Sequence, residues 1–425
     1  MKVDRRALLG ALGLSVAAGA AGAQETQAPP ATTPPAQASL ADRITQRATE
    51  NRHRLAFDGT RFSGPAYDLL LQEGRAAQFF CIGEEHGIAE NPKLAAQLFA
   101  ELQYDKACVE ISAPMAAELD RAARGGAAGL RQLFSDPGAQ VAFFGMREEA
   151  EWLAAVRAAR PGRAQAIWGL DYEVGGDRRL IQILKTKRKP TSAATALAAL
   201  EAASAASWAQ YAETRGPQYI FSFSGDPTLV AAVRTAWPNA DAEARSILTT
   251  LEETLAINQL WVQRRGWESN QRRAELNRAN LRRYWAAEGE RNPKVMFKFG
   301  ASHVVRGLSH TQVLDIGTHV SEHAALMGAK SFHIAVFPGA SSQVAQFDPT
   351  SWTYRPSEAG TYAEEGMTPL MAAAYPDGYT LIDLRPIRSL VFGARHKALD
   401  ADLVRTIHGF DALLVLTGAT ASANL

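Results

Sequence analysis

Gln78-Phe79-Phe80-Cys81-Ile82-Gly83-Glu84-Glu85-His86-Gly87 is the stretch on which the fold turns. An apolar run of strand length ends in a glycine, two carboxylates, an imidazole and a second glycine. Asn91, a residue suited to cap a helix, and Pro92, suited to its first position, then announce the next element. Leu94, Ala95, Leu98 and Leu102 recur at helical spacing behind them. Strand, polar turn and helix in that order open a βα unit. On an extended backbone Glu84 and His86, two apart, share one side and Glu85 takes the other.

Working outward, six more apolar runs have strand character: Ala107–Ile111, Gln165–Leu170, Lys294–Gly300, Ser331–Phe337, Thr380–Leu384 and Ala412–Leu416. Their alternation with amphipathic segments predicts an α/β fold with a largely parallel central sheet flanked by helices. From about residue 178 to 289 strand signals vanish. That stretch is rich in Ala, Glu, Arg and Leu and carries Trp208, Trp237, Trp261, Trp267 and Trp285. It reads as a long helical insertion into a domain spanning 41–425, a lid or wall of a cleft suited to an apolar small molecule.

Ligands of open α/β sheets bind beyond the carboxyl ends of the strands. Those ends are where the reactive side chains fall. The first predicted strand ends in Glu84 and His86, the second at Glu110, the third in Asp171-Tyr172-Glu173, the fourth in Gly300-Ala301-Ser302-His303, and a later one in Asp383-Leu384-Arg385. Two imidazoles and two carboxylates from distant positions would meet on one rim, a set able to activate water. Each has a plainer reading. A histidine after a strand is commonly a hydrogen-bonded structural residue. Glu110 suits a cap or an ion pair, and Asp171 and Glu173 suit the cap of a helix beginning near Gly175.

The rest of the chain narrows the classes. Of 425 residues, 47% are hydrophobic and 21% charged, which is globular composition. Lys+Arg 45 against Asp+Glu 44 leaves +1, so no global field draws nucleic acid. Arg5-Arg6, the apolar stretch Ala7–Gly22 and the small-residue site Ala21-Gly22-Ala23 have the form of a signal peptide over 1–23, compatible with the twin-arginine route. Residues 24–40, with Pro29, Pro30, Pro34 and Pro35, read as a tether. A periplasmic or secreted protein is expected, with no integral membrane span after cleavage. Cys81 and Cys108 lie in apolar runs and read as buried thiols; a disulfide would require their strands to be neighbours. His319-Val320-Ser321-Glu322-His323 matches H-x-x-E-H, the inverted zincin pattern, on what otherwise reads as an ordinary amphipathic helix. G-x-S-x-G, the P-loop and G-x-G-x-x-G are absent, which argues against a serine esterase of the α/β-hydrolase kind and against nucleotide chemistry.

Taken together, Ile82-Gly83-Glu84-Glu85-His86-Gly87, Val109-Glu110, Trp168-Gly169-Leu170-Asp171-Tyr172-Glu173 and Lys298-Phe299-Gly300-Ala301-Ser302-His303 resemble, in order, the erythromycin esterase family. That family sits in a wider superfamily with ChaN-like haem-binding and Tiki/TraB-like proteins. The stretch Arg273 to Asn280 is similar to its helical segment, and Phe410 to Leu414 to its last strand. The resemblance implies a hydrolytic site in which His86 is general base, Glu84 and Glu110 orient it, and His303 and Arg273 stabilise the oxyanion or donate a proton. One departure stands out. A single residue separates Glu84 from His86 where the esterases usually place two, a spacing that looks more like the ChaN branch. The superfamily therefore also implies two alternatives: a haem- or iron-binding protein, or a metal-dependent protease in which Glu84, His86, Glu110 and His303 hold zinc or manganese.

Overall fold

Every one of the seven apolar runs is a strand in the computed structural model, which describes residues 38–289, 291–360 and 366–425, the side chains of 394–396 apart. The expected signal peptide and nearly all of the tether lie outside the described residues. A helix from Leu40 to Glu50, its N-terminus closed by a Ser39/Asp42 capping box, begins one residue before the expected domain start. The strands are β1 (Arg52–Phe57), β2 (Phe62–Ser63), β3 (Phe79–Glu84), β4 (Lys106–Ser112), β5 (Ile167–Asp171), β6 (Val295–Gly300), β7 (Ser331–Pro338), β8 (Gln343–Asp348), β9 (Thr353–Glu358), β10 (Tyr379–Asp383) and β11 (Ala412–Leu416). Nine of them form one sheet in the order β2-β1-β10-β11-β7-β3-β6-β4-β5, and β8 and β9 form a separate hairpin.

The block from β11 to β5 is parallel, with β3 between β6 and β7. Strands covered on both faces read as unbroken apolar runs, which is why β3 is legible in the sequence and buried along its whole length. Its side chains divide by parity. Phe80 and Ile82 join the core on one face, and Phe79 and Cys81 join that on the other. Each buried phenylalanine contributes about 1.5–3 kcal/mol. Cys81 and Cys108 do not lie on neighbouring strands: β6 runs between them, with Phe297 in register with both. Two strand spacings, roughly 9–10 Å, exceed disulfide reach. The thiols are free and buried.

One expectation about the rim is corrected. β10 runs antiparallel to β11, pairing Asp383 with Ala412 at the start of that strand. Asp383 and Arg385 therefore lie at the opposite end of the sheet, where Arg385 bonds Asp383 and Glu73. The helix after β3 also differs in detail. It runs Glu90–Leu102 with Ala89 at the cap position, and Asn91 sits inside the first turn with its side-chain amide donating to the Glu85 carbonyl.

Between β5 and β6 the chain is helical, as its composition implies. The main helices are Asp177–Thr186, Thr191–Thr214, Pro227–Ala236, Ala242–Val262 and Gly266–Ala287. Trp208 and Trp237 are core residues, whereas Trp261 and Trp267 are exposed. The last of these helices is a wall bound to the sheet: Asn280 donates to the Leu170 carbonyl at 2.5 Å.

Candidate active site

The turn after β3 is fixed from outside. Gly87 adopts φ +85°, a conformation that disfavours side chains, and a Cβ there would meet the Ala345 carbonyl oxygen at 2.4 Å. Its own carbonyl accepts from the backbone N–H groups of Ala345 on β8 and Ser422 near the C-terminus. The exposed hairpin thus clamps the segment that presents His86. Glu110 comes from the stretch of β4 where pairing with β5 slips between Val109 and Ser112, an irregularity of the kind that re-aims side chains beside functional sites. His303 stands on a single helical turn, Ala301–Val304, directly after β6.

These three residues meet, and Glu110 is the centre. His86 Nε2 lies 3.3 Å from one Glu110 oxygen and His303 Nε2 lies 3.4 Å from the other. The Gly300 N–H donates to Glu110 Oε2 at 2.7 Å, and Arg273 Nη2 to Oε1 at 2.7 Å. A side chain at Gly300 would crowd the junction, since a Cβ would sit 3.2 Å from His86 Nε2. On their far sides the imidazoles are oriented by further carboxylates: His86 Nδ1 by Glu84 at 3.0 Å, and His303 Nδ1 by Asp315 at 2.7 Å. Arg273 is anchored by Asp171 through Nε and Nη2. Glu84, His86, Glu110, His303 and Arg273 therefore form one array of hydrogen bonds and close ion-pair contacts, with Asp171 joining through Arg273. Glu173 keeps its plainer role. It accepts from Ser112 Oγ and the Gly176 N–H beside the helix Asp177–Thr186.

Electrostatics favour the protonated form of both imidazoles. Burial opposes charge on His86, but Glu110 and Glu84 outweigh it and push its pKa up to about 10. His303 is also raised: burial and Arg273 work against its charge, and Glu110 and Asp315 overcome them. Burial disfavours the Glu110 carboxylate, yet His303, His86 and Arg273 keep it well below the usual range. Phe143, from the loop before the helix Arg147–Ala159, stacks on the His86 ring at 4.1 Å and 15°. Its N–H donates to the Tyr354 hydroxyl on β9 at 2.6 Å. Glu110, Asp171 and Arg273 line a small hollow of about 30 Å³, room for a water molecule or two, with Ile111, Ala142, Phe143, Tyr172, Glu173 and Val174 around it.

The donor set does not fit a divalent metal or an axial haem ligand. Both nitrogens of each imidazole face carboxylates, Glu110 is shared by four donors, and the cations Arg273 and Lys298 lie inside the set. Among the described residues, no group of three or more His, Cys, Asp or Glu is placed to hold a metal ion. The H-x-x-E-H segment lies apart from the array, on the helix Ile316–Leu326. His319 and His323 stack on each other there, His323 packs against Phe79 and Trp285, and Glu322 is exposed. Burial lowers the pKa of both histidines.

Sequence reasoning left four participants without a role. Lys298 Nζ donates to Glu84 at 2.6 Å and to Glu149 at 2.5 Å, with all three buried. A lysine inside an apolar strand signals an ion partner, because lysine is rarely buried unpaired. Asp315 has a recognisable capping position before its helix. Phe143 and Glu149 carry no local signal of their own.

No family model matches the chain, and no curated protein matches it in sequence. Solved structures do match in fold. A succinoglycan biosynthesis protein aligns with TM-score 0.59 at 13% identity, over 92% of this chain and 100% of its own. A Bacillus cereus protein aligns with TM-score 0.56 at 14% identity, over 91% and 99%. The erythromycin esterase EreC, solved as a histidine-to-asparagine mutant in its open conformation, aligns with TM-score 0.56 at 16% identity, over 88% and 98%. The chain thus shares, over nearly its whole length, a fold that also occurs in an erythromycin esterase.

Proposed function

We propose that this protein is an exported hydrolase that activates water to cleave an ester, lactone or amide of a small molecule. One observation carries the reading: His86 and His303, encoded 217 positions apart, bring their Nε2 atoms within 3.3 and 3.4 Å of the same buried carboxylate on the rim of the sheet. In its neutral form His86 takes a proton from water, with Glu84 fixing its tautomer through Nδ1. His303, held by Asp315, supplies the proton or the positive field that the developing oxyanion requires. Glu110 keeps the two rings in register, and Arg273 keeps Glu110 in place while lining the hollow. The hollow beside Glu110 and Arg273 has room for the attacking water, and the bulk of the substrate would lie outside it. The fold shared with an erythromycin esterase supports the hydrolase class.

Export rests on the sequence of residues 1–23, and no helix among the described residues is long and apolar enough to cross a membrane. Turnover of a panel of aryl esters and lactones by wild type and His86→Ala tests the chemistry. Loss of turnover in a variant with intact near-ultraviolet circular dichroism supports it. Equal turnover in the two proteins refutes it.

A further inference from the structure

On the Nδ1 side of His86 lies a charge arrangement that water activation as described does not use. Lys298 on β6 faces two carboxylates, Glu84 at the end of β3 and Glu149 in the helix Arg147–Ala159, at 2.6 and 2.5 Å. Each of the three residues is no more than 3% exposed. The lysine ammonium lies 5.4 Å from the Trp152 ring centroid and 5.8 Å from that of Phe144, among groups that offer no counter-charge. Lys298 thus serves two acids, of which Glu84 alone also has His86 Nδ1 beside it. The second oxygen of each carboxylate, Glu84 Oε2 and Glu149 Oε2, is buried without a hydrogen-bond partner. Two fully ionised carboxylates in that condition would be costly, whereas a proton on one of them removes the excess charge.

We propose that Glu149 is a positioning residue that sets the basicity of His86 through Lys298 and Glu84, without touching the imidazole itself. When Glu149 is protonated, Lys298 belongs to Glu84, and the matched pair loosens its hold on the proton of His86. When Glu149 is ionised, Lys298 is divided between two anions, and the under-compensated Glu84 holds His86 as imidazolium. The charge on one buried acid thereby shifts the balance between base and cation at the His86 ring.

The surroundings favour this division of roles. Burial lifts the pKa of Glu149 to about 7, which Lys298 only partly offsets and to which Glu84 adds. Glu84 remains below its ordinary value: burial is outweighed there by Lys298 and His86. Glu149 faces Lys298 from β6, Glu84 and His86 from the end of β3, and Tyr354 from β9. Its helix neighbour Glu148 is engaged elsewhere, with Arg147 and the Ala423 N–H. His86 itself is faced by Glu84 and Glu110, the latter shared with Arg273 and His303.

This inference deepens the hydrolase reading and rests on it for its purpose, but its test needs no turnover. With the full chain labelled in the imidazole nitrogens, the His86 ring is titrated by NMR in wild type, Glu149→Gln and Glu149→Asp. Removing the charge in the isosteric Glu149→Gln is expected to lower the His86 midpoint by about 1 pH unit. Glu149→Asp, which keeps the charge, is expected to bring it back toward wild type. In wild type alone, the coupling predicts a second inflection of the His86 resonance near pH 7, as Glu149 exchanges its proton. A folded Glu149→Gln with an unmoved His86 midpoint overturns the proposal, and so does a wild-type titration lacking the second inflection. Loss of the hydrolase reading would show separately, as turnover indifferent to His86→Ala.

Discussion

Two regions of this molecule each bring together two histidines and a glutamate, and only one of them is built as a site. On the helix Ile316–Leu326, His319, Glu322 and His323 meet a recognised spacing, yet the rings stack on each other, His323 meets Trp285 edge-on, and the carboxylate faces solvent. On the sheet rim no local motif unites His86, Glu110 and His303, yet three strand ends bring them within 3.4 Å. The contrast also runs through the proton equilibria. Burial without a buried anion lowers the pKa of His319 and His323, whereas burial against Glu110 raises that of His86 and His303. Spacing along a helix creates the opportunity for a site, and convergence of oriented, desolvated partners creates the site itself.

The contrast breaks most sharply under substitution. His86→Ala is expected to reduce kcat/KM by about 10²–10⁴-fold, while His319→Ala leaves it unchanged; parallel losses in the two variants would erase the distinction. The pH profile gives the next largest effect. A base raised to about 10 is mostly protonated at neutrality, so kcat/KM should climb about tenfold per pH unit from pH 7 to 9 and reach half its limit near pH 10. The same shift makes a stability prediction of definite sign. The stabilisation tied to protonated His86 is complete below about pH 6.5, the unfolded-state value, and is lost as pH rises through about 10. Thermal melts of wild type and His86→Ala should converge over that window, and a constant difference contradicts the assignment.

Smaller effects sharpen the comparison. Gly300→Ala places a methyl group 3.2 Å from His86 Nε2 and 3.3 Å from Glu110 Oε2, so activity should fall while the melting temperature changes little. Tyr354→Phe leaves the half-buried Phe143 N–H without its acceptor, at a cost of about 1 kcal/mol, and releases the ring over His86. Denaturant melts and kinetics should both register it. His323→Ala is expected to show stability loss alone, about 1 kcal/mol from lost packing on Phe79 and Trp285.

How far the sequence reveals this depends on what kind of signal each feature carries. The parallel strands are legible because both their faces are covered, which leaves unbroken apolar runs. β1 begins Arg52-His53-Arg54 and the β8–β9 hairpin holds Gln343, Thr353 and Pro356, so their polarity hides them. The direction of β10 is illegible, since Tyr379–Asp383 reads alike in either orientation; its reversal carries Asp383 away from the rim. Within the array, residues after strands were found because position in an α/β sheet predicts them. Glu149 and Phe143 were missed because they arrive from a helix and a loop whose docking is set by tertiary packing. Lys298 was the overlooked clue, a charge inside Val295–Gly300 that demanded a buried partner.

The central claim is that one carboxylate couples two distant imidazoles, and titrating all ring nitrogens by NMR in wild type and Glu110→Gln tests it most directly. The expected result is that the His86 and His303 midpoints fall together while those of His319 and His323 stay fixed. A variant in which only one of the first pair moves, or neither, would contradict the account.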